Sequence, residues 1–167
     1  MGVDTLTSLY NADTLLVITF NPETLTTTML SIPRDTYTTI ACTGKKNKIN
    51  SSGLSGDKCV VDTISKYLDI NIDYYVKINF QGLVQLVDYL GGVEVDVPYS
   101  FCEQNSKRQF GKHMIYVEKG IRTLNGEQAL AYSRCRGLYK ESDLARNRHQ
   151  QDIIMALVSK IMKTSNY

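Results

Sequence analysis

Thr14-Leu15-Leu16-Val17-Ile18-Thr19-Phe20 is a continuous apolar and β-branched run, and it reads as a strand buried on both faces. Asn21-Pro22-Glu23-Thr24 supplies turn residues after it, and Thr26–Ile32 returns as a second strand, giving a hairpin-like pair. Residues 42–59, rich in Gly, Ser, Lys and Asn, read as a long loop. Beyond it Val60, Val61, Ile64 and Leu68 recur at helical spacing, and Tyr74–Phe80 alternates as a strand. Leu83, Leu86, Val87 and Leu90 share one helical face that stops at Gly91-Gly92. Val93-Glu94-Val95-Asp96-Val97-Pro98 is an alternating strand ended by proline, and Leu124-Asn125-Gly126-Glu127 opens a helix with Asn125 as N-cap. A last helix runs from about Asp143 to Met162. Strands and helices mixed in this order predict an α/β layered domain.

A chain of 167 residues predicts a single domain spanning 1–167, large enough to bury about two thirds of its unfolded surface. The 19 basic and 17 acidic residues leave a net charge of +2, so no general attraction to nucleic acid or anionic membrane is expected and any anion site must come from local clustering. Basic–aromatic interleaving is also missing, which argues against nucleic-acid binding. No stretch approaches the roughly 18–20 apolar residues of a membrane span. No signal peptide is visible, but Gly2-Val3-Asp4 reads as the end of a strand whose body, and an anchor, lie upstream. The signatures of P-loops, nucleophile elbows, zincins and dinucleotide folds are absent. Cys42, Cys59, Cys102 and Cys135 form no CxxC pair, which weakens a zinc reading. Their even number fits two disulfides in an oxidising compartment or four thiols in a reducing one.

The chemistry concentrates on arginines. Arg34 sits in Ser31-Ile32-Pro33-Arg34-Asp35-Thr36, at the point where proline ends sheet pairing. A guanidinium on the lip of a buried strand is costly unless an anion meets it. A structural Arg–Asp corner and half of an anion site are equal readings of this hexapeptide taken alone. In Ser133-Arg134-Cys135-Arg136, an extended backbone would put Arg134 and Arg136 on one face and Cys135 on the other. Two like charges there repel unless an anion bridges them; a solvated surface pair is the alternative. The buried stripe of the last helix reads Ile154, Leu157 and Ile161 and extends back to Gln150 and Arg146. A core face that turns polar in its first turns suggests a cavity holding something polar, against a helix that simply protrudes. With Lys48, these cations suit phosphate oxygens, which arginine's planar fork matches well. Asp4 and Asp13 end and begin candidate strands; if those strands are neighbours, both carboxylates reach one sheet edge and form a Mg²⁺ platform. An N-cap or turn role for Asp13 fits equally.

Taken together, these segments resemble the LytR-CpsA-Psr family of bacterial cell-wall ligases. The resemblance rests on Asn11-Ala12-Asp13-Thr14, Leu30-Ser31-Ile32-Pro33-Arg34-Asp35-Thr36, Lys48-Ile49-Asn50 and Val76-Lys77-Ile78-Asn79-Phe80, followed by Leu90-Gly91-Gly92 through Pro98. It continues with Leu124-Asn125-Gly126-Glu127-Gln128-Ala129-Leu130, Arg134-Cys135-Arg136 and Asp143, Arg146 and Gln150-Gln151, in family order over nearly the whole chain. It implies a three-layer α/β/α sandwich with a central mixed β-sheet and an apolar pocket for a polyprenyl chain. It also implies an extracytoplasmic domain of Gram-positive bacteria, held to the membrane by an N-terminal helix outside this sequence. The implied activity moves a glycopolymer, such as teichoic acid or capsule, from a polyprenyl-pyrophosphate carrier to a peptidoglycan acceptor. Asp4 and Asp13 would hold Mg²⁺, and Arg34, Lys48, Arg134, Arg136 and Arg146 would grip the pyrophosphate with support from Gln150. Asp13 or Asp4 would serve as general base only if not fully committed to metal. A polyprenyl-pyrophosphate hydrolase and a non-catalytic lipid-phosphate binding module are the rival readings. Asn11 and His149 stand where the family often has arginine. In the oxidising setting this implies, Cys42 and Cys59, which flank one loop, are expected to pair, as are Cys102 and Cys135.

Overall fold

The structure, a computed structural model, describes residues 2–3, 10–136 and 142–164. Its contacts divide the chain into two compact units, Met1–Phe80 and Gln81–Tyr167. The first holds strands β1 (Gly2–Val3), β2 (Leu15–Asn21), β3 (Thr26–Ile32), β4 (Tyr37–Thr39) and β5 (Lys46–Lys48). A 3-10 segment (Ile49–Ser55), helix α1 (Asp57–Leu68) and strand β6 (Ile78–Asn79) complete it. β2 and β3 form the antiparallel hairpin that their residue types predict, from Leu15 opposite Ile32 to Asn21 opposite Thr26. At its turn the Asn21 side chain accepts the Glu23 and Thr24 N–H groups.

Burial of β2 departs from the two-sided expectation. Leu15 and Ile32 enter a core with Tyr10, Ala12, Ile49, Val60 and Ile64, but Ile18 and Phe20 are 46% and 60% exposed. Among the described residues the hairpin is a two-stranded ribbon, so only its base has core to pack on. Residues 42–59 are likewise more ordered than a loop. β5 pairs antiparallel with β4, Tyr37 opposite Lys48, and Ser51 and Ser52 hydroxyls donate back to Lys48 O and Ile49 O to hold the 3-10 turn. The strand expected over Tyr74–Phe80 shrinks to β6. Tyr74, Tyr75 and Val76 are all exposed, so the alternation there meets no core. β1 runs parallel to β6, Gly2 opposite Ile78; its ladder partner is β6, not β2.

The second unit contains α2 (Phe80–Tyr89), β7 (Val93–Val97), β8 (Phe101–Glu103), β9 (Ile115–Val117), β10 (Gly120–Leu124), α3 (Gly126–Arg134) and α4 (Ser142–Thr164). α2 ends as expected, with Gly92 N–H bonded to Val87 O. β7 buries Val93, Val95 and Val97 and exposes Glu94 and Asp96, and it pairs antiparallel with β10. β8 pairs antiparallel with β9. Asn125 caps α3 in a full capping box: its side chain accepts Gln128 N–H at 3.0 Å, and the Gln128 side chain accepts Asn125 N–H at 3.1 Å. Gly126 is required here because a Cβ would lie 2.3 Å from Val84 O. The core joins these strands to Ala129, Tyr132, Ile153 and Leu157. On α4 the buried stripe is His149, Ile153 and Leu157, while Ile154 is only partly buried and Ile161 is exposed. The predicted stripe is therefore rotated by one residue. Both units are mixed α and β, and among the described residues no helix is long and apolar enough to cross a membrane.

Candidate functional site

The first cluster is built by backbone. Pro33 ends β3, and Thr36 N–H turns back to Pro33 O at 2.9 Å. Residues 49–50 lie against this turn: Ile49 N–H donates to Thr36 O (2.7 Å) and Asn50 N–H to Arg34 O (3.2 Å). Asn50 O in turn accepts Ala12 N–H at 3.2 Å, which sets Asp13 beside Arg34. Gly53 serves the same junction, since a Cβ there would lie 2.3 Å from Tyr10 O.

On this frame stands a row of alternating charge. Arg34 Nη1 donates to Asp13 Oδ1 at 2.8 Å, and Arg34 Nε lies 3.7 Å from Asp35 Oδ2. Lys48 Nζ donates to Asp35 Oδ1 at 2.6 Å. The Lys48 hydrogen bond, aided by the nearby Lys48 and Arg34 charges, holds Asp35 below the usual carboxylate range. Arg34 and Asp13 side chains remain 43% and 38% exposed. Exposed ion pairs contribute about 0–1 kcal/mol, so this corner does little for stability. A pyrophosphate, with more charge and more acceptor oxygens than a carboxylate, can compete for its cations.

Two features brace the corner. The Tyr10 hydroxyl (2.7 Å) and Lys77 Nζ (3.0 Å) both donate to Asp57 Oδ1 at the start of α1, and Lys77 Nζ lies 3.7 Å from the centre of the Tyr10 ring. The Tyr10 hydrogen bond, with Lys77, draws Asp57 below its usual range, and burial first, then Asp57, pushes the Tyr10 phenol up. A Cys42–Cys59 disulfide, Cα–Cα 5.6 Å, closes over β5 and the 3-10 turn. It is the pairing the loop-flanking positions suggest.

The second cluster lies at the end of α3. Residues Ser133-Arg134-Cys135-Arg136 are not extended: Arg134 is the last helical residue and Cys135 the C-cap. The alternation expected of Arg134 and Arg136 therefore does not apply. Helix geometry turns Arg134, 18% exposed, onto the segment after β8. It donates to Asn105 O (3.2 Å) and Gln104 Oε1 (3.3 Å), and lies 3.9 Å from Glu103 Oε1. Glu127 at the start of α3 pins the same segment by accepting Ser106 N–H and hydroxyl at 2.8 and 2.5 Å. Arg136 is exposed, and Arg146 and Gln150 are half-buried on α4. Gln150 Nε2 donates to Ser133 O at 3.4 Å.

Cys135 is buried and Cys102 exposed, and both are free thiols, so the expected Cys102–Cys135 bridge is not formed. Strand alternation explains it: Phe101 points into the core, which turns Cys102 out.

The structure thus brings Asp13, Arg34 and Lys48 together in one unit, and Arg134 and Gln150 around Ser133–Cys135 in the other. Asp4 lies outside the described residues. Sequence reasoning missed Asp35 as the bridge between Arg34 and Lys48. The signal was the β-branched and aromatic run Thr36–Thr39, which makes a strand and sets Lys48 opposite Tyr37. It also missed His149 as a core residue, visible only once the stripe of α4 is shifted by one position.

Mg²⁺ needs only one or two carboxylates besides phosphate oxygens and water. Asp13 fits that demand: its carboxylate reaches solvent, and its Oδ1 accepts from Arg34. Among the described residues no three His, Cys, Asp or Glu side chains gather around a common point.

A mixed α/β protein presenting arginines at a strand end and a helix end is the class these observations define. The chain belongs to the LytR_cpsA_psr family, whose model matches residues 1–167. It is 41% identical over 158 residues to the Polyisoprenyl-teichoic acid--peptidoglycan teichoic acid transferase TagV of Bacillus subtilis, covering 93% of this chain and 40% of that protein. The crystal structure of B. subtilis TagV superposes with a TM-score of 0.80 at 38% identity, over 96% of this chain and 62% of that one. The family protein YwtF (TagT) with bound octaprenyl pyrophosphate lipid superposes with a TM-score of 0.77 at 33% identity, over 96% and 62%. The chain spans about 40–50% of the length of the curated relatives it matches.

Proposed function

We propose that this chain carries the catalytic domain of a phosphotransferase that moves a glycopolymer from a polyprenyl-pyrophosphate carrier to peptidoglycan. Teichoic acid is the leading cargo, because TagV and TagU are named as its transferases. The observation that carries the reading is the likeness, across 96% of the chain, to a family member holding octaprenyl pyrophosphate. An α/β/α sandwich with an apolar pocket for the prenyl chain, and a place on the extracytoplasmic face of a membrane-anchored protein, belong to the same proposal.

In this reading the family resemblance assigns phosphate contacts to Arg34 and Lys48 in the first unit and to Arg134, Arg136 and Arg146, supported by Gln150, in the second. A peptidoglycan hydroxyl oxygen attacks the glycan-side phosphorus, the bridging P–O bond breaks, and polyprenyl monophosphate leaves. The hydroxyl proton passes to a base or to solvent. Such chemistry depends on positioning and charge neutralisation rather than a covalent nucleophile. Arg34 exchanges its Asp13 and Asp35 contacts for phosphate oxygens as substrate arrives. Mg²⁺, when bound, neutralises charge on the pyrophosphate, and Asp13, with Asp4, would hold it.

The test is product analysis. The protein, Mg²⁺ and a prenyl-pyrophosphate-linked teichoic acid precursor are combined with and without peptidoglycan fragments, and products are read by mass spectrometry. A glycan–peptidoglycan phosphodiester with released prenyl monophosphate is expected. Release without an acceptor product would identify a hydrolase, and binding without turnover a carrier module.

A further inference from the structure

We propose that His149 is a positioning residue for the arginines at the end of α3, holding the peptide that joins Arg134 to Arg136. The inference rests on the phosphotransferase reading for its readout and on geometry for its content. His149 Nδ1 lies 3.0 Å from Cys135 O, the carbonyl of the residue between the two arginines. A carbonyl only accepts, so Nδ1 carries the proton, and in the neutral ring Nε2 is then the acceptor. Its neighbour complies: the Tyr99 hydroxyl lies 3.3 Å from Nε2. Burial, with the Cys135 thiol beside it, pushes the Tyr99 phenol up to about 12, so it remains a donor.

The ring is fixed on its faces as well. Tyr132 packs against it with centroids 4.4 Å apart, and Tyr99 meets it edge-on at 5.9 Å. Tyr132 in turn donates to Asp152 Oδ2 at 2.8 Å, one turn along α4. The groups facing His149 are thus Tyr99 before β8, Tyr132 and Cys135 at the end of α3, and Asp152 on α4 itself.

What lifts this above an ordinary satisfied core histidine is where the bonds land. The last carbonyls of a helix have no partner within it. Two adjacent α4 residues supply donors to the carbonyls on either side of Arg134: Gln150 to Ser133 O and His149 to Cys135 O. Arg134 leaves the backbone between the two pinned carbonyls and Arg136 directly after the second. If His149 is lost, the C-cap can re-orient, and the guanidiniums move with it while the apolar core of the unit stays packed.

The experiment compares His149→Phe, which fills the space without a donor, with His149→Asn, whose Nδ2 stands close to the place of Nδ1. Arg136→Ala is the reference. Transfer kinetics with the teichoic acid precursor are measured beside binding of geranyl pyrophosphate, thermal melts and ¹⁵N spectra of the histidine ring. Expected are a loss in kcat/KM of about tenfold or more for His149→Phe, carried mainly by kcat, substantial rescue by Asn, and an Nδ1–H tautomer in the wild type. In His149→Phe, Arg136→Ala should cost less than it does alone. Wild-type kinetics in His149→Phe, an Asn variant as impaired as Phe, or an Nε2–H tautomer would each overturn the assignment. Arg136→Ala with unchanged pyrophosphate binding and transfer would also overturn it, whereas a wild type that makes no phosphodiester product fails the phosphotransferase reading instead, and the tautomer still reports on His149.

Discussion

The Arg34 corner and the Arg134 corner place the same functional group by opposite means. Arg34 stands on a turn held by backbone hydrogen bonds, and its side chain lies at the solvent boundary among Asp13, Asp35 and Lys48. Arg134 ends a helix, is mostly buried, and is committed to the 103–105 segment. The first arrangement lets side chains exchange partners while the backbone stays put. The second makes the cation part of the packing, so its position depends on groups beneath it such as His149.

The disulfide gives the sharpest contrast, because it constrains only the Arg34 unit. Closing a loop of about 18 residues is worth about 3 kcal/mol in the chain-entropy model. Replacing Cys42 and Cys59 by Ser should therefore lower stability in denaturant unfolding by about that amount. A single unshifted transition would show that the link carries no such weight.

Substituting the two arginines separates function from stability. Arg34→Ala should reduce kcat/KM by about 1.5–3 kcal/mol of transition-state binding while costing less than about 1 kcal/mol of stability, as exposed pairs do. Lysine at 34 should restore only part of the activity, since it lacks the fork. Arg134→Ala should lower activity and also cost about 1–2 kcal/mol of stability, because the 103–105 segment is untied. Equal melting temperatures for the two variants would break the comparison.

Acid should act on the buried corner at higher pH than on the exposed one, whose Asp35 titrates only below the usual carboxylate range. Burial holds His149 below its ordinary value of 6.5. Below about 6.5 the unfolded chain takes up a proton that the folded chain resists, so stability is full above that pH and declines as pH falls towards the folded value. His149→Phe should flatten this part of the stability–pH curve, measured by chemical denaturation. The smallest effect is expected at Lys48. Lys48→Ala should let Asp35 titrate nearer the ordinary carboxylate range, seen by NMR, with no change in melting temperature.

Much of the local structure was legible because it is written in neighbouring residues. Asn125 caps a helix, Val93–Val97 alternates, and Asn21-Pro22 turns a hairpin, each where its residue types predict. The errors share one cause. An apolar run predicts burial of Ile18 and Phe20, yet the ribbon has core only at its base. The facing of Arg134 and Arg136 depends on an extended backbone, and a four-residue polar segment does not distinguish a strand from the last turn of a helix.

The family, the cation-rich segments and the identity of most secondary-structure elements are legible without coordinates, since they depend on local pattern and on motifs in order along the chain. Tertiary structure alone decided that Arg34 meets Asp13, 21 residues away, that Lys48 closes the row through Asp35, and that His149 lies under the peptide between two arginines. It also decided that Cys102 faces solvent while Cys135 is buried. Those pairings join residues with no common period. They exist because burial of apolar groups around Ile49 and Val60 in one unit, and Tyr132 and Ile153 in the other, brings distant backbone together and leaves the polar groups to satisfy one another.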